Sequence, residues 1–108
     1  MDSSFITTRA ESLGDSVVVH VDGDIDFATS GQLSDDMSHL VKTGPNLVLE
    51  LSEVPFMDSV GISALFATRN AVLEHGGSLA VRNPSTAVRR VLDLTGLAAL
   101  LMESTPRD

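Results

Sequence analysis

Asn46-Leu47-Val48-Leu49-Glu50-Leu51, followed after a short break by Phe56-Met57-Asp58-Ser59-Val60-Gly61-Ile62, is the stretch on which the architecture turns. Its first part is nearly continuous apolar from Leu47 to Leu51, as expected of a central strand buried on both faces. Its second part opens a helical pattern, with Ile62, Leu65, Phe66, Val72 and Leu73 on one stripe and Gly76-Gly77 closing it beyond His75. A strand running into a helix puts Asp58 and Ser59 at the helix start. Backbone N–H groups without intrahelical partners and a partial positive charge gather there, so the position suits an oxygen-rich or anionic group. A hydroxyl in that place is either a helix cap or a place to put a phosphate.

Outward from this centre the punctuation is regular. Upstream, Val17 to Val21 is a β-branched strand run preceded by Asp15-Ser16, and Ser4 to Thr8 alternates weakly enough to predict a first, edge strand. Leu33, Met37, Leu40 and Val41 recur at helical spacing within Phe27 to Val41, with Gly44-Pro45 as the stop. Downstream, Ser78 to Arg82 reads as a short strand. Asn83 then serves as the cap of a third helix with Pro84 in its first turn, Val88, Val91 and Leu92 form the buried face, and Gly96-Leu97 ends it. Leu100 to Met102 predicts a last short strand, and Ser104 to Asp108 a frayed tail. The order β-β-α-β-α-β-α with a final β predicts an α/β fold, a sheet with helices packed against it. Ala64, Ala67 and Ala71 on the other side of the second helix reflect helix propensity alone or leave room for another surface to approach. Arg69, inside the apolar stripe, lays its stem on the core and its guanidinium in water.

With 108 residues the chain makes one domain spanning 1–108, its ordered core over about 4–102. A 43% hydrophobic and 20% charged composition is that of a folded globular chain. No apolar run approaches the roughly 20 residues of a membrane span, and the first residues lack the basic-then-apolar pattern of a signal peptide. The absence of cysteine removes disulfides and thiol nucleophiles and fits a cytoplasmic location. A net charge of -8, one lysine (Lys42) and no Trp or Tyr argue against direct nucleic-acid binding, despite the small group Arg82, Arg89 and Arg90.

Enzymatic readings fail on their own requirements. Asp22, Asp24 and Asp26 start like a calcium loop, but the sixth and twelfth positions are Phe27 and Leu33 instead of Gly and Glu. The run reads instead as a solvated turn with Asp26 capping the next helix, or as an acidic contact surface beside the Asp58 loop. His20, His39 and His75 have no metal-ligand spacing. Asp58-Ser59-Val60-Gly61 lacks the first glycine of a nucleophile elbow, and no phosphate-cradling Gly-Lys-Ser/Thr loop is present. Neither a cofactor nor a metal is expected. As a pure cap, Asp58 or Ser59 would contribute about 0.5–2 kcal/mol.

Taken together, Val48-Leu49-Glu50-Leu51-Ser52, Phe56-Met57-Asp58-Ser59-Val60-Gly61-Ile62, Gly76-Gly77-Ser78-Leu79, Asn83-Pro84-Ser85 and Val88-Arg89-Arg90-Val91-Leu92 through Gly96-Leu97 resemble a STAS domain of the anti-sigma-factor antagonist type over nearly the whole length. Gly23-Asp24-Ile25-Asp26 matches the Gly-Glu-Leu-Asp turn of that family. The resemblance implies a small mixed β-sheet with helices packed against it and a module that is not an enzyme. It implies binding of an ATP-using serine kinase, itself the anti-sigma factor, whose capture frees a sigma factor in stress or sporulation signalling. The phosphorylated serine lands on Ser59, a PP2C-type phosphatase reverses the modification, and Asp24, Asp26, Asp58, Ser59, Val60, Gly61 and Ile62 form the contact surface. Where the family often has Asp-Ser-Ser-Gly or Asp-Ser-Thr-Gly, this chain has Val60, which leaves one phosphoacceptor and bears on which kinase reads the loop. The alternative is a scaffold or adaptor that binds constitutively, with Ser59 only a cap. Weak self-association as a homodimer is compatible with either.

Overall fold

β-branched and leucine-rich runs separated by glycine turns build a sheet whose helices gather their apolar sides over one face. The computed structural model describes residues 5–43 and 45–102. Strands β1 (Thr7–Leu13), β2 (Ser16–Asp22), β3 (Asn46–Glu53) and β4 (Ser78–Arg82) lie in the order β1-β2-β3-β4. The β1–β2 pair is a hairpin; β2–β3 and β3–β4 are parallel, so the sheet is mixed. Helices α1 (Ser30–Lys42) and α2 (Ser59–Glu74) connect the parallel strands, and α3 (Thr86–Leu94) and the short α4 (Ala98–Leu101) follow β4.

Alternation along the strands sends Val19, Val21, Leu47, Leu49, Leu51, Leu79 and Val81 to one face. There they form a single cluster with Leu33 and Met37 of α1, Ile62, Leu65 and Val72 of α2, and Val88, Leu92 and Leu101. Burial of this apolar area supplies most of the stabilisation, at about 25 cal/mol per Å². Val18 and Val48 are also buried on the other face, but there β3 continues with half-buried Glu50 and exposed Ser52, so the expected burial of β3 on both faces holds only at Val48. Thr68 occupies a buried slot on α2 and satisfies its hydroxyl by donating to the Ala64 carbonyl at 2.9 Å. Ala67, which is exposed, and half-buried Ala71 line an open cleft between α2 and the Met37–Val41 side of α1.

Several expectations need correction. The first strand starts at Thr7 and runs to Leu13, longer and later than Ser4 to Thr8, because the Gly14-Asp15 turn pairs all of it with β2. Ser4 itself, Gly44 of the expected Gly44-Pro45 stop, and the expected tail lie outside the described residues. α1 begins at Ser30 because a separate turn occupies residues 27–29. Leu73 is turned outward, since adjacent Val72 takes the core position. Asn83 is not the cap of α3. It holds a left-handed φ of 49° that turns the chain out of β4, and its amide donates to Glu50 Oε2 at 3.0 Å. Ser85 caps instead, accepting from Val88 N at 3.2 Å while donating to the Val54 carbonyl. Leu100 lies in α4 rather than in a strand, and only Met102 makes an isolated bridge, to Val81. The end of α3 is as expected: Gly96 at φ 75° lets Leu97 N reach the Leu92 carbonyl at 2.9 Å.

The second sheet face carries a polar row in register, Arg9, His20, Glu50 and Arg82 across the four strands. His20 Nε2 lies 3.1 Å from Glu11 Oε1. Burial raises the Glu50 carboxyl, but hydrogen bonds from Ser52 N–H, the Asn83 amide and the Ser52 hydroxyl, with His20 nearby, outweigh it and hold it below its ordinary value of 4.5. A carboxyl depressed on folding stabilises above its unfolded value, and that contribution is lost as pH falls through the folded one. A Glu50→Gln variant is therefore expected to lose less of its Tm than the parent on acidification below pH 4.5. Thermal melts across that window test it, and parallel curves for the two proteins would refute the assignment.

Candidate functional site

Two loops leave the carboxyl edge of the central parallel strands, and the structure stitches them together. Ile25, after β2, makes a parallel bridge with Met57, after β3. Ile25 N donates to the Phe56 carbonyl at 3.0 Å, and Asp58 N donates to the Ile25 carbonyl at 3.4 Å. Gly61 makes this approach possible, because a Cβ there would collide with the Ile25 carbonyl oxygen. The sequence places the Asp24 turn beside the Asp58 loop as one of two readings, and the structure brings them side by side.

Asp58 is the cap of α2. With extended backbone (φ -107°, ψ -173°), its Oδ1 accepts from Gly61 N at 2.9 Å. Ser59 is the first residue of the helix, exposed, and its carbonyl accepts from the Ser63 hydroxyl at 3.0 Å. Among the described residues no hydrogen bond engages the Ser59 hydroxyl. The choice between cap and phosphate position is thereby divided between neighbours: the aspartate caps, and the serine hydroxyl is left over. Ser59 as a cap is corrected. Asp58→Ala is expected to cost about 0.5–2 kcal/mol, whereas Ser59→Ala should leave the melting curve within about 0.5 kcal/mol of wild type. Denaturation of the two variants in parallel checks this; equal losses would contradict the hydrogen-bond pattern.

The other predicted residues fall into two groups. Asp24 is exposed, with its carboxylate outside the described hydrogen bonds, and Val60 is 37% exposed beside the serine. Asp26 is partly committed. Its Oδ1 accepts from Ala28 N at 2.9 Å and Thr29 N at 3.2 Å, so it caps the turn before α1 rather than α1 itself. Ile62, expected on the contact surface, is only 6% exposed and packs in the core. Gly61 is likewise buried. Both hold the loop from beneath, because the helix turns these positions inward. Sequence reasoning passed over Phe27 and Phe56, which are 80% and 48% exposed on the same two loops. Their signal was present as aromatic residues next to the acidic turn and the Asp58 motif. Among the described residues no group of three or more His, Cys, Asp or Glu is arranged to hold a metal ion, and no helix is long and apolar enough to cross a membrane.

Residues 7–107 match the family model described as STAS domain. The chain belongs to the STAS domain family. This STAS domain is 32% identical over 85 residues to the anti-sigma-B factor antagonist of Bacillus subtilis (strain 168), covering 79% of this chain and 78% of the relative. Its structure is similar to that of an anti-sigma factor antagonist from Mycobacterium paratuberculosis, with 35% identity, TM-score 0.78, and coverage of 93% and 86% of the two chains. The fold is also that of the anti-sigma factor antagonist SpoIIAA in its unphosphorylated form, with TM-score 0.73 at 22% identity over 92% of this chain and 89% of the other. The single STAS fold with a mixed sheet is thus as the sequence predicts.

Proposed function

We propose that this STAS domain is an anti-sigma factor antagonist working in the cytoplasm as a binding module rather than an enzyme. Unphosphorylated, it captures an ATP-using serine kinase that is itself the anti-sigma factor, and the sigma factor is released. Phosphorylation of Ser59 ends the capture, and a PP2C-type phosphatase restores it. The observation that carries this reading is the exposed Ser59 hydroxyl, uncommitted because Asp58 makes the cap, on a loop joined to the acidic turn of Asp24. Relatives named anti-sigma factor antagonists support the same role. Asp24, Asp58, Ser59 and Val60 meet the kinase, while Asp26, Gly61 and Ile62 hold them in place. The constitutive-scaffold reading loses its main motivation, which was Ser59 acting as the cap.

A phosphoserine carries about -1.5 to -2 charges. Its electrostatic gain at the helix terminus is about 0.3–1 kcal/mol, and repulsion from Asp58 opposes it. The fold beneath is therefore expected to persist, and the effect falls on docking. Incubation with the cognate kinase and ATP should yield one phosphate, mapped by mass spectrometry to Ser59 and absent in Ser59→Ala. Phosphate on another residue, or none, overturns the proposal.

A further inference from the structure

The loop that carries Ser59 lies between two others. Strand order places the β3 loop, with Phe56 to Ser59, between the β2 loop carrying Asp24 and the β4 connection into α3. On the α3 side a cleft of about 460 Å³ opens, lined by Phe56, Met57, Thr86, Ala87, Arg90 and Val91. Its floor is apolar: Met57 is buried, and Val91 packs against the core. Phe56 lines the cleft with half of its surface exposed, and its backbone is pinned by the hydrogen bond from Ile25 N. The two arginines of α3 differ. Arg89 Nε pairs with Asp93 at 3.0 Å, whereas Arg90 is exposed, lines this cleft, and has no partner among the described residues. In a chain of net charge -8, the exposed Arg90 guanidinium beside an apolar cleft next to the acidic loops makes this edge three-part: acidic, apolar, basic.

Resting on the function proposed above, we propose that the Phe56–α3 cleft is the second half of the kinase-docking surface. It takes an apolar side chain of the kinase, flanked by an aspartate or glutamate that pairs with Arg90. The argument is continuity with the phosphoacceptor and charge. A partner reaching the Ser59 hydroxyl borders Phe56 and Met57, which precede it directly in the chain. Interfaces concentrate their energy in aromatic and arginine anchors at desolvated pockets, and this cleft supplies one of each. Complementarity of potential then sets the partner's pattern: basic opposite Asp24 and Asp58, acidic opposite Arg90. Such a bipolar match also fixes orientation, which a uniformly acidic surface does not.

The test measures binding of the purified kinase of the phosphorylation assay to wild type, Ser59→Asp, Phe56→Ala, Arg90→Glu and Arg9→Glu. Arg9 is an exposed arginine on β1, so its reversal changes net charge equally but elsewhere. Arg90→Glu and Phe56→Ala are each expected to weaken binding by about tenfold or more, and Arg9→Glu by less than about twofold. Circular dichroism should be unchanged for all. Wild-type affinity in both cleft variants, with binding lost in Ser59→Asp, overturns the cleft proposal and leaves the Ser59 switch standing. Equal weakening by Arg9→Glu and Arg90→Glu overturns it as well, because net charge alone then accounts for the effect. If Ser59→Asp binds like wild type while the cleft variants do not, the switch reading fails and the cleft stands as a partner surface.

Discussion

Ser59→Asp is expected to abolish capture of the kinase while leaving the fold intact. The new carboxylate sits in the first turn of α2, where negative charge is favoured by about 0.3–1 kcal/mol, and the cap made by Asp58 to Gly61 N is untouched. Repulsion from Asp58 takes back a similar amount, so Tm should move by only a few degrees. Docking obeys a different balance. Burying an unpaired charge at an interface costs several kcal/mol, and about 1.4 kcal/mol is already tenfold in affinity. A loss of about a hundredfold or more follows, measurable by calorimetry or fluorescence titration with the kinase. Retained tight binding, or a collapsed melting temperature, would each show that the serine does something other than gate docking.

Gly61→Ala should have the largest effect on the molecule itself. The added methyl meets the Ile25 carbonyl oxygen and comes within 2.9 Å of the Met57 side chain. Methionine can swing aside. The carbonyl cannot, because it is backbone and accepts the Asp58 N–H. One of the two loops must move, which breaks the Ile25–Met57 bridge and costs about 1–3 kcal/mol or more. For a domain of this size each kcal/mol lowers Tm by roughly 4–8 °C. Gly31→Ala in α1 is the control, since a Cβ there meets nothing within 4 Å; it should melt at or above the wild-type temperature. A Gly61→Ala protein as stable as the parent would mean that the two loops are not locked together.

What could be read from the residues follows from how strongly each element is coupled to the core. β4 was legible to the residue, and the middle of β3 and the start of α2 equally so, because their apolar runs end in sharp punctuation. β1 was not: Thr7 to Leu13 is nearly all exposed, so burial imposes no alternation on it, and its length is set by pairing with β2. Asn83 and Ser85 both fit a cap by type. Only the tertiary contacts of Asn83 with Glu50 and of Ser85 with Val54 decide between them. α4 is four residues long, too short for a helical period to declare itself. At the site, the pairing of Asp58 with Ser59 was visible, but the division of labour was not. Which of two adjacent oxygens accepts Gly61 N depends on one residue's backbone angle, and no spacing rule reports that. Ile62 was legible as a core residue from the apolar stripe of α2, and the helical period of that stripe, rather than its place in the motif, decides that it does not belong to the contact surface.

Ile25 and Met57 belong to different strand–loop units, and their bridge continues the parallel pairing of β2 with β3. Parallel pairing closes a long loop before any contact repays it, so it is slow to form. A chain that has collapsed without it carries Asp24 and Ser59 as two unrelated stretches. A partner that needs both loops at once therefore registers only finished molecules. Its occupancy then follows the concentration of folded protein and not the total polypeptide synthesised, and half-made or misfolded copies stay silent in the circuit.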